Sequence, residues 1–186
     1  MSVITVERKV LEKNDEVAGE LRLLFQKNKT FVLNLLSSPG SGKTTLLEKT
    51  LQHIRDDLSV AVIEGDVQTD NDAQRISKYK IPVVQIVTNG GCHLDALLVR
   101  DALKSLLLKG VTMLFIENVG NLVCPASYDL GENKKVVIVS TTEGDDKPLK
   151  YPQMFHVADV CILNKIDLLS YVDFDVSTFH TNAKKV

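Results

Sequence analysis

The sequence predicts an α/β domain with a mostly parallel central sheet and helices on both faces. Three observations carry that prediction. Short apolar runs alternate with amphipathic stretches along the chain, the pattern of buried strands and crossover helices. A glycine-rich loop separates the first such run from the helix after it. The 186 residues suit one domain with a full core. A net charge of -2, with 44% hydrophobic and 25% charged residues, removes the electrostatic footprint of a nucleic-acid binder. No run approaches a membrane span, and MSVITVERKV lacks the apolar core of a signal peptide, so a cytoplasmic protein without membrane contact is expected. Cys92, Cys124 and Cys161 are odd in number and widely spaced, which suits a reducing compartment.

The elements follow in order. Leu11, Val17, Ala18, Leu21, Leu24 and Phe25, with charges between them, predict an amphipathic helix over residues 5–28. Phe31 to Leu36 is a nearly continuous apolar run, as in a strand buried on both faces. After the Ser/Pro/Gly loop, Leu46, Leu47, Thr50, Leu51 and Ile54 trace a helix. Val60 to Ile63 reads as a strand, Asn71 to Lys80 as helical, and Pro82 to Val87 as a strand whose proline stands harmlessly at its start. A stripe through Leu94, Leu97, Leu98, Ala102, Leu106 and Leu107 predicts a helix from about His93 to Leu108, closed by Lys109-Gly110. Val111 to Ile116, Val136 to Val139 and Val160 to Leu163 complete the sheet, with Cys161 expected inside it. With no repeat or linker, residues 1–186 read as a single domain.

Ser37 to Thr44 matches G-x-x-x-x-G-K-[ST], with Ser37 replacing the first glycine. Phosphate binding needs backbone amides pointing into one concavity, a cation for the β/γ oxygens and a hydroxyl for magnesium. Ser38, Gly40, Ser41, Gly42 and Thr45 build that loop, while Lys43 supplies the charge and Thr44 the hydroxyl. The bland alternative is an ordinary turn; a strand before and a helix after favour a P-loop NTPase. Magnesium also needs carboxylates at the carboxyl ends of neighbouring strands. Asp66 and Glu117 stand there, although either alone could be a solvated loop acid. Asn164-Lys165-Ile166-Asp167 is N-K-x-D directly after the last strand. A carboxylate in that place accepts two hydrogen bonds that guanine offers and adenine does not, which points to GTP and GDP.

Cys92-His93 precedes a predicted helix, whose N-terminus is expected to favour the Cys92 thiolate. Cys124 lies seven residues beyond Glu117. The three could meet as a metal site, or they could be buried cysteines and a hydrogen-bonded histidine. Three ligands leave a four-coordinate site incomplete, for a water or a second chain to finish.

Together SSPGSGKTTLL, EGDVQTDNDAQRI, GGCHLDA, ENVGNLVCP, EGDDKPLKYP and NKIDLL resemble the HypB family, accessory GTPases of nickel incorporation into hydrogenase. The blocks run in family order from Ser37 to Leu169. The resemblance implies a GTPase of the dimerising SIMIBI class that helps deliver nickel to the [NiFe]-hydrogenase large subunit with a HypA-like nickel chaperone. It implies that Cys92, His93 and Cys124 hold Ni²⁺ or Zn²⁺ at a dimer interface and that Thr44, Asp66 and Glu117 hold Mg²⁺. Lys43 would act on the transferring phosphoryl group, and an acid of the Asp66 to Asp72 segment would position the water.

Two departures from the family stand out. No cysteine precedes Cys92, so no N-terminal nickel store is expected, and only nineteen residues follow Asp167. A C-terminal strand and closing helix are therefore expected to be missing, leaving an exposed sheet edge and a weakened base pocket. Two rivals remain, another P-loop enzyme, either UreG-like or a kinase, and a non-catalytic scaffold. A UreG-like urease maturation factor has a similar layout but carries Cys-Pro-His where Cys92 and His93 are adjacent. A small-molecule kinase would need a second-substrate pocket. A non-catalytic, nucleotide-gated metal-binding scaffold would release no phosphate.

Overall fold

The computed structural model describes residues 6–68 and 71–186; Thr5, expected to open the first helix, and Thr69 and Asp70, within the expected water-positioning segment, lie outside them. Six parallel strands form one sheet in the order β3-β2-β4-β1-β5-β6. They are β1 (Phe31–Ser37), β2 (Val60–Asp66), β3 (Val83–Val87), β4 (Met113–Glu117), β5 (Lys134–Ser140) and β6 (Val160–Asn164). Each strand is joined to the next by a crossover, as parallel pairing requires.

Helices cover both faces. Helix α1 (Val6–Asn28) buries Val17, Ala18, Leu21 and Phe25, and these pack in one cluster with Val32, Leu114 and Ile116 of the sheet and with α4 (Ala96–Ala102). On the opposite face α2 (Lys43–Ile54) and α3 (Asn71–Ser77) close over Leu35, Val62, Phe115 and Ile138. The alternation of Val32 and Leu35 between these two clusters is the period-two geometry of a strand buried on both sides. Short helices α5 (Lys147–Lys150) and α6 (Pro152–Val157) precede β6.

Three expectations are corrected. Helix α4 begins at Ala96 and ends at Ala102, short of the predicted span from His93 to Leu108. The Asp95 carboxylate accepts from Leu98 N and sets the start, while Leu107, on the predicted apolar stripe, is 79% exposed in the turns that follow. Cys161 is exposed on β6, a strand paired only with β5 among the described residues. The chain also ends in a helix, α7 (Val176–Lys185), with Asp175 accepting from Thr178 N at its start. Phe174 and Phe179 anchor that end against Phe155. No further strand follows β6 among the described residues.

Candidate nucleotide and metal site

The phosphate loop bridges β1 and α2 at the carboxyl edge of the sheet. Gly42, the residue before α2, has φ 92°, a left-handed conformation that glycine adopts without strain. A Cβ there would also stand 2.6 Å from the Asn164 amide nitrogen. That close approach has a purpose: Asn164 Nδ2 donates to Ser41 O at 2.9 Å, and Lys165 Nζ donates to Gly40 O at 2.7 Å. The first two residues of N-K-x-D thus brace the phosphate loop from beside it. Asp167 stands exposed just beyond, in the 3-10 segment Ile166–Tyr171.

Three strand ends meet at this edge. Ser37 of β1, Asp66 of β2 and Glu117 of β4 terminate neighbouring strands. Ser37 and Asp66 line a cavity of about 520 Å³ together with the loop from Ser38 to Thr45, Asp72 and Arg75. Within it Lys43 Nζ and Thr44 Oγ1 both donate to Glu117 Oε1, at 2.7 and 2.6 Å. Glu117 Oε2 and Ser41 Oγ are buried without a hydrogen-bond partner. An orphaned carboxylate oxygen beside a threonine hydroxyl is a hard-oxygen donor set that fits a magnesium ion. Asp66 is not in the hydrogen bonds of that pair; its Oδ1 accepts from Gln68 N. Asp72 is held by Arg75 Nη1, and the same guanidinium donates to Thr45 Oγ1 and to Glu48.

Sequence reasoning passed over Glu64. It pairs in register with Glu117 on the neighbouring strand, and both are 1% exposed. Burial, then the charge of Glu117, pushes the Glu64 carboxyl up to about 10. That shift keeps Glu64 protonated, and so neutral, beside the Glu117 carboxylate at neutral pH. An acidic residue inside an apolar strand, Val60 to Asp66, was the available signal.

Cys92, His93 and Cys124 come together as well, with their candidate ligand atoms within 4.8 Å of one another. Cys92 Sγ is 3.5 Å from His93 Nδ1, a separation that two ligands on one tetrahedral ion accommodate given metal–sulfur and metal–nitrogen bonds of about 2.3 and 2.0 Å. The His93 ring stacks on Tyr128 with centroids 3.8 Å apart. Burial lowers the His93 pKa against the opposing charge of Asp95, favouring the neutral imidazole that binds metals. Here the expected effect of a helix N-terminus on Cys92 is overturned. Helix α4 starts four residues later, and the Cys92 thiol is raised above its ordinary value by its hydrogen bond with Cys124 and then by burial.

Phosphate loop and cluster are joined by one stretch of chain. From Glu117 it passes through Gly120, where a Cβ would meet Pro39 Cα and N at 3.1 Å, to Cys124 at the start of the 3-10 turn Cys124–Ser127. Asn121 Nδ2 donates to Cys92 O from the same stretch at 3.3 Å.

The pattern of the CobW/HypB/UreG nucleotide-binding domain matches residues 31–186. The hydrogenase maturation factor HypB of Azotobacter chroococcum is 55% identical over 184 residues, covering 99% of this chain and 60% of that protein. The factor of the same name from Escherichia coli is 54% identical and is covered to 63% of its length. This chain therefore spans somewhat less than two thirds of those relatives. A crystal structure of HypB from Helicobacter pylori in complex with nickel superposes with a TM-score of 0.89 at 44% identity, over 93% of this chain and 81% of that one.

Proposed function

The chain belongs to the CobW/HypB/UreG family of nucleotide-binding domains, and from that premise we propose that it hydrolyses GTP to control nickel handling in the maturation of [NiFe]-hydrogenase. One observation carries the reading. Glu117, which holds the two key phosphate-loop side chains, and Cys124, which completes the soft-donor cluster, are the ends of a single short segment.

Nucleotide entry would draw Lys43 to the β/γ oxygens and release it from Glu117. Asn164 and Lys165 hold the Ser41 and Gly40 carbonyls, so that the loop amides would be preorganised for the phosphates, which is where most of the catalytic stabilisation of phosphoryl transfer resides. Thr44, Asp66 and Glu117 would hold Mg²⁺, which neutralises charge on the transferring group. Asp72, fixed by Arg75, or Asp66 orients the attacking water. Asp167 accepts from guanine and excludes adenine.

Nickel, or zinc in its place, is cargo taken by Cys92, His93 and Cys124. The open fourth position suits a second copy of the chain, so nucleotide and metal both promote a homodimer. Nickel then passes to or from a HypA-like chaperone and reaches the hydrogenase large subunit.

The test combines two measurements on one preparation. Phosphate release should exceed background with GTP and not with ATP. Ni²⁺ affinity, by competition with a chromophoric chelator, should differ between the GDP and GTPγS states by at least about fivefold, the lower end of ordinary coupling energies. Nucleotide-dependent metal binding without phosphate release would instead describe a non-catalytic scaffold.

A further inference from the structure

We propose that Asn118 is the positioning residue that fixes the Cys92–His93 half of the metal cluster to the strand ends of the phosphate site. Asn118 is fully buried and directly follows Glu117. Its backbone N–H continues the ladder onto β1, donating to Leu35 O at 3.0 Å. The side chain then reaches sideways. Oδ1 accepts from Leu94 N at 3.0 Å and from Val119 N at 2.9 Å, and Nδ2 donates to Asn34 Oδ1 at 3.3 Å. Asn34 in turn donates to Glu132 Oε1 at 3.0 Å, and Glu132 Oε2 accepts from Leu130 N at 2.7 Å. The amide of Asn118 is therefore oriented from behind, so its oxygen can face only the Leu94 side.

Leu94 is the residue after the ligand pair, and it lies outside regular structure because α4 starts at Ala96. Its N–H has no helical acceptor and, being buried, would cost about 1–3 kcal/mol if left unpaired. Asn118 supplies the acceptor. On its other side Leu94 rests against the second strand end: a Cβ on Gly65 would stand 2.8 Å from Leu94 Cδ1. One residue adjacent to His93 is thus clamped between Gly65, which precedes Asp66, and Asn118, which follows Glu117. Without a helix or strand of its own, the Cys92–His93 segment is held by this clamp together with the Asn121 bond to Cys92 O and the stacking of His93 on Tyr128. Movement of either strand end has to displace it.

The positional part of this proposal stands on geometry alone; its nucleotide part rests on the function proposed above. Both are tested on the full chain with Co²⁺, whose thiolate charge-transfer and d–d absorption report ligand identity and tetrahedral geometry. In Asn118→Ala, Co²⁺ affinity without nucleotide should fall about 10- to 100-fold, as for loss of a partner that orients a metal ligand, and the d–d bands should weaken. GDP affinity should fall less than Co²⁺ affinity, since none of the Asn118 hydrogen bonds reaches the phosphate loop. The ratio of Co²⁺ affinities in GDP and GTPγS should move toward one. A folded variant with unchanged Co²⁺ affinity and spectrum would overturn the assignment, because a merely structural role lowers the melting temperature and leaves both intact. If the wild-type ratio is already one, nucleotide control fails, while the nucleotide-free titration still decides the positioning role. Should the variant not fold, hydrogen exchange on the wild type decides: protection of the Leu94 amide rising about tenfold or more on Co²⁺ binding supports the clamp, and an unchanged rate refutes it.

Discussion

At the phosphate loop, Lys43 and Thr44 already share Glu117, whereas at the cluster the soft donor atoms of Cys92, His93 and Cys124 turn toward one another. The first site is occupied by the protein itself. Lys43 and Glu117 form a buried ion pair, with side chains 10% and 2% exposed, and separating such a pair is costly unless a new partner takes each charge. A nucleotide has to bring both, phosphate for the lysine and a cation for the carboxylate. The second site asks less of its ligand, since a metal ion entering it displaces only protons. Nucleotide binding is therefore a rearrangement, and metal binding a titration, at two places joined by the segment from Glu117 to Cys124.

The largest effect separates the two sites outright. Lys43→Ala removes the cation proposed to meet the β/γ oxygens and leaves Glu117 buried with only the Thr44 hydroxyl. GTP hydrolysis should fall at least about 100-fold, the usual loss for one electrostatic stabiliser of a transition state, while nucleotide-free Ni²⁺ affinity stays within about threefold. Phosphate-release assays and chelator competition read the two quantities. An equal collapse of metal affinity would show that the sites are one folded unit and would break the comparison.

The two sites were also legible in the sequence to different degrees. Phosphate chemistry needs its glycines, lysine and threonine consecutively in the chain, so Ser38 to Thr45 could be read without a structure. Asp66 and Glu117 could be placed because strand ends follow from apolar runs. Cys92-His93 and Cys124 could only be nominated, since their approach depends on the crossing of the Asn118–Cys124 segment beside Pro39 and on the Asn121 contact to Cys92. What escaped was set by tertiary partners. Leu94 fits a helical stripe, yet its N–H goes to Asn118 and helix α4 starts later. Counting residues after Asp167 hid helix α7, although Asp175 as a cap, with Phe179 and Ala183 at four-residue spacing, offered a local signal.

A second effect follows from metal binding as titration. Cys92 is raised above its ordinary thiol value, so it carries a proton at neutral pH that the metal must displace, whereas His93 is lowered and is already neutral there. Raising the pH from 6 to 8 removes part of that thiol cost and adds none at the imidazole. Apparent Ni²⁺ or Co²⁺ affinity should rise roughly tenfold per pH unit for each thiol proton released, read from the Co²⁺–thiolate band. A flat profile would mean that the cysteines are already thiolates or do not ligate.

The smallest effect brings protonation back to the phosphate site. Glu64 has an ordinary carboxyl pKa of 4.5 in the unfolded chain and is pushed up to about 10 in the fold, chiefly by burial and by Glu117. Because the folded form holds that proton more tightly, its stabilising contribution is complete below pH 4.5 and is progressively lost as pH rises toward 10. Glu64→Gln has no proton to lose, yet its amide can still donate to Glu117. The melting temperature of the variant relative to wild type should therefore climb steadily between pH 5 and pH 9, each kcal/mol of differential stability being worth about 2–4 °C for a chain of this size. A difference that stays constant with pH would mean that Glu64 is not the neutral partner of Glu117. In that case two charges would face Lys43 from adjacent strands, and nucleotide entry would leave both carboxylates to be neutralised by the incoming cation.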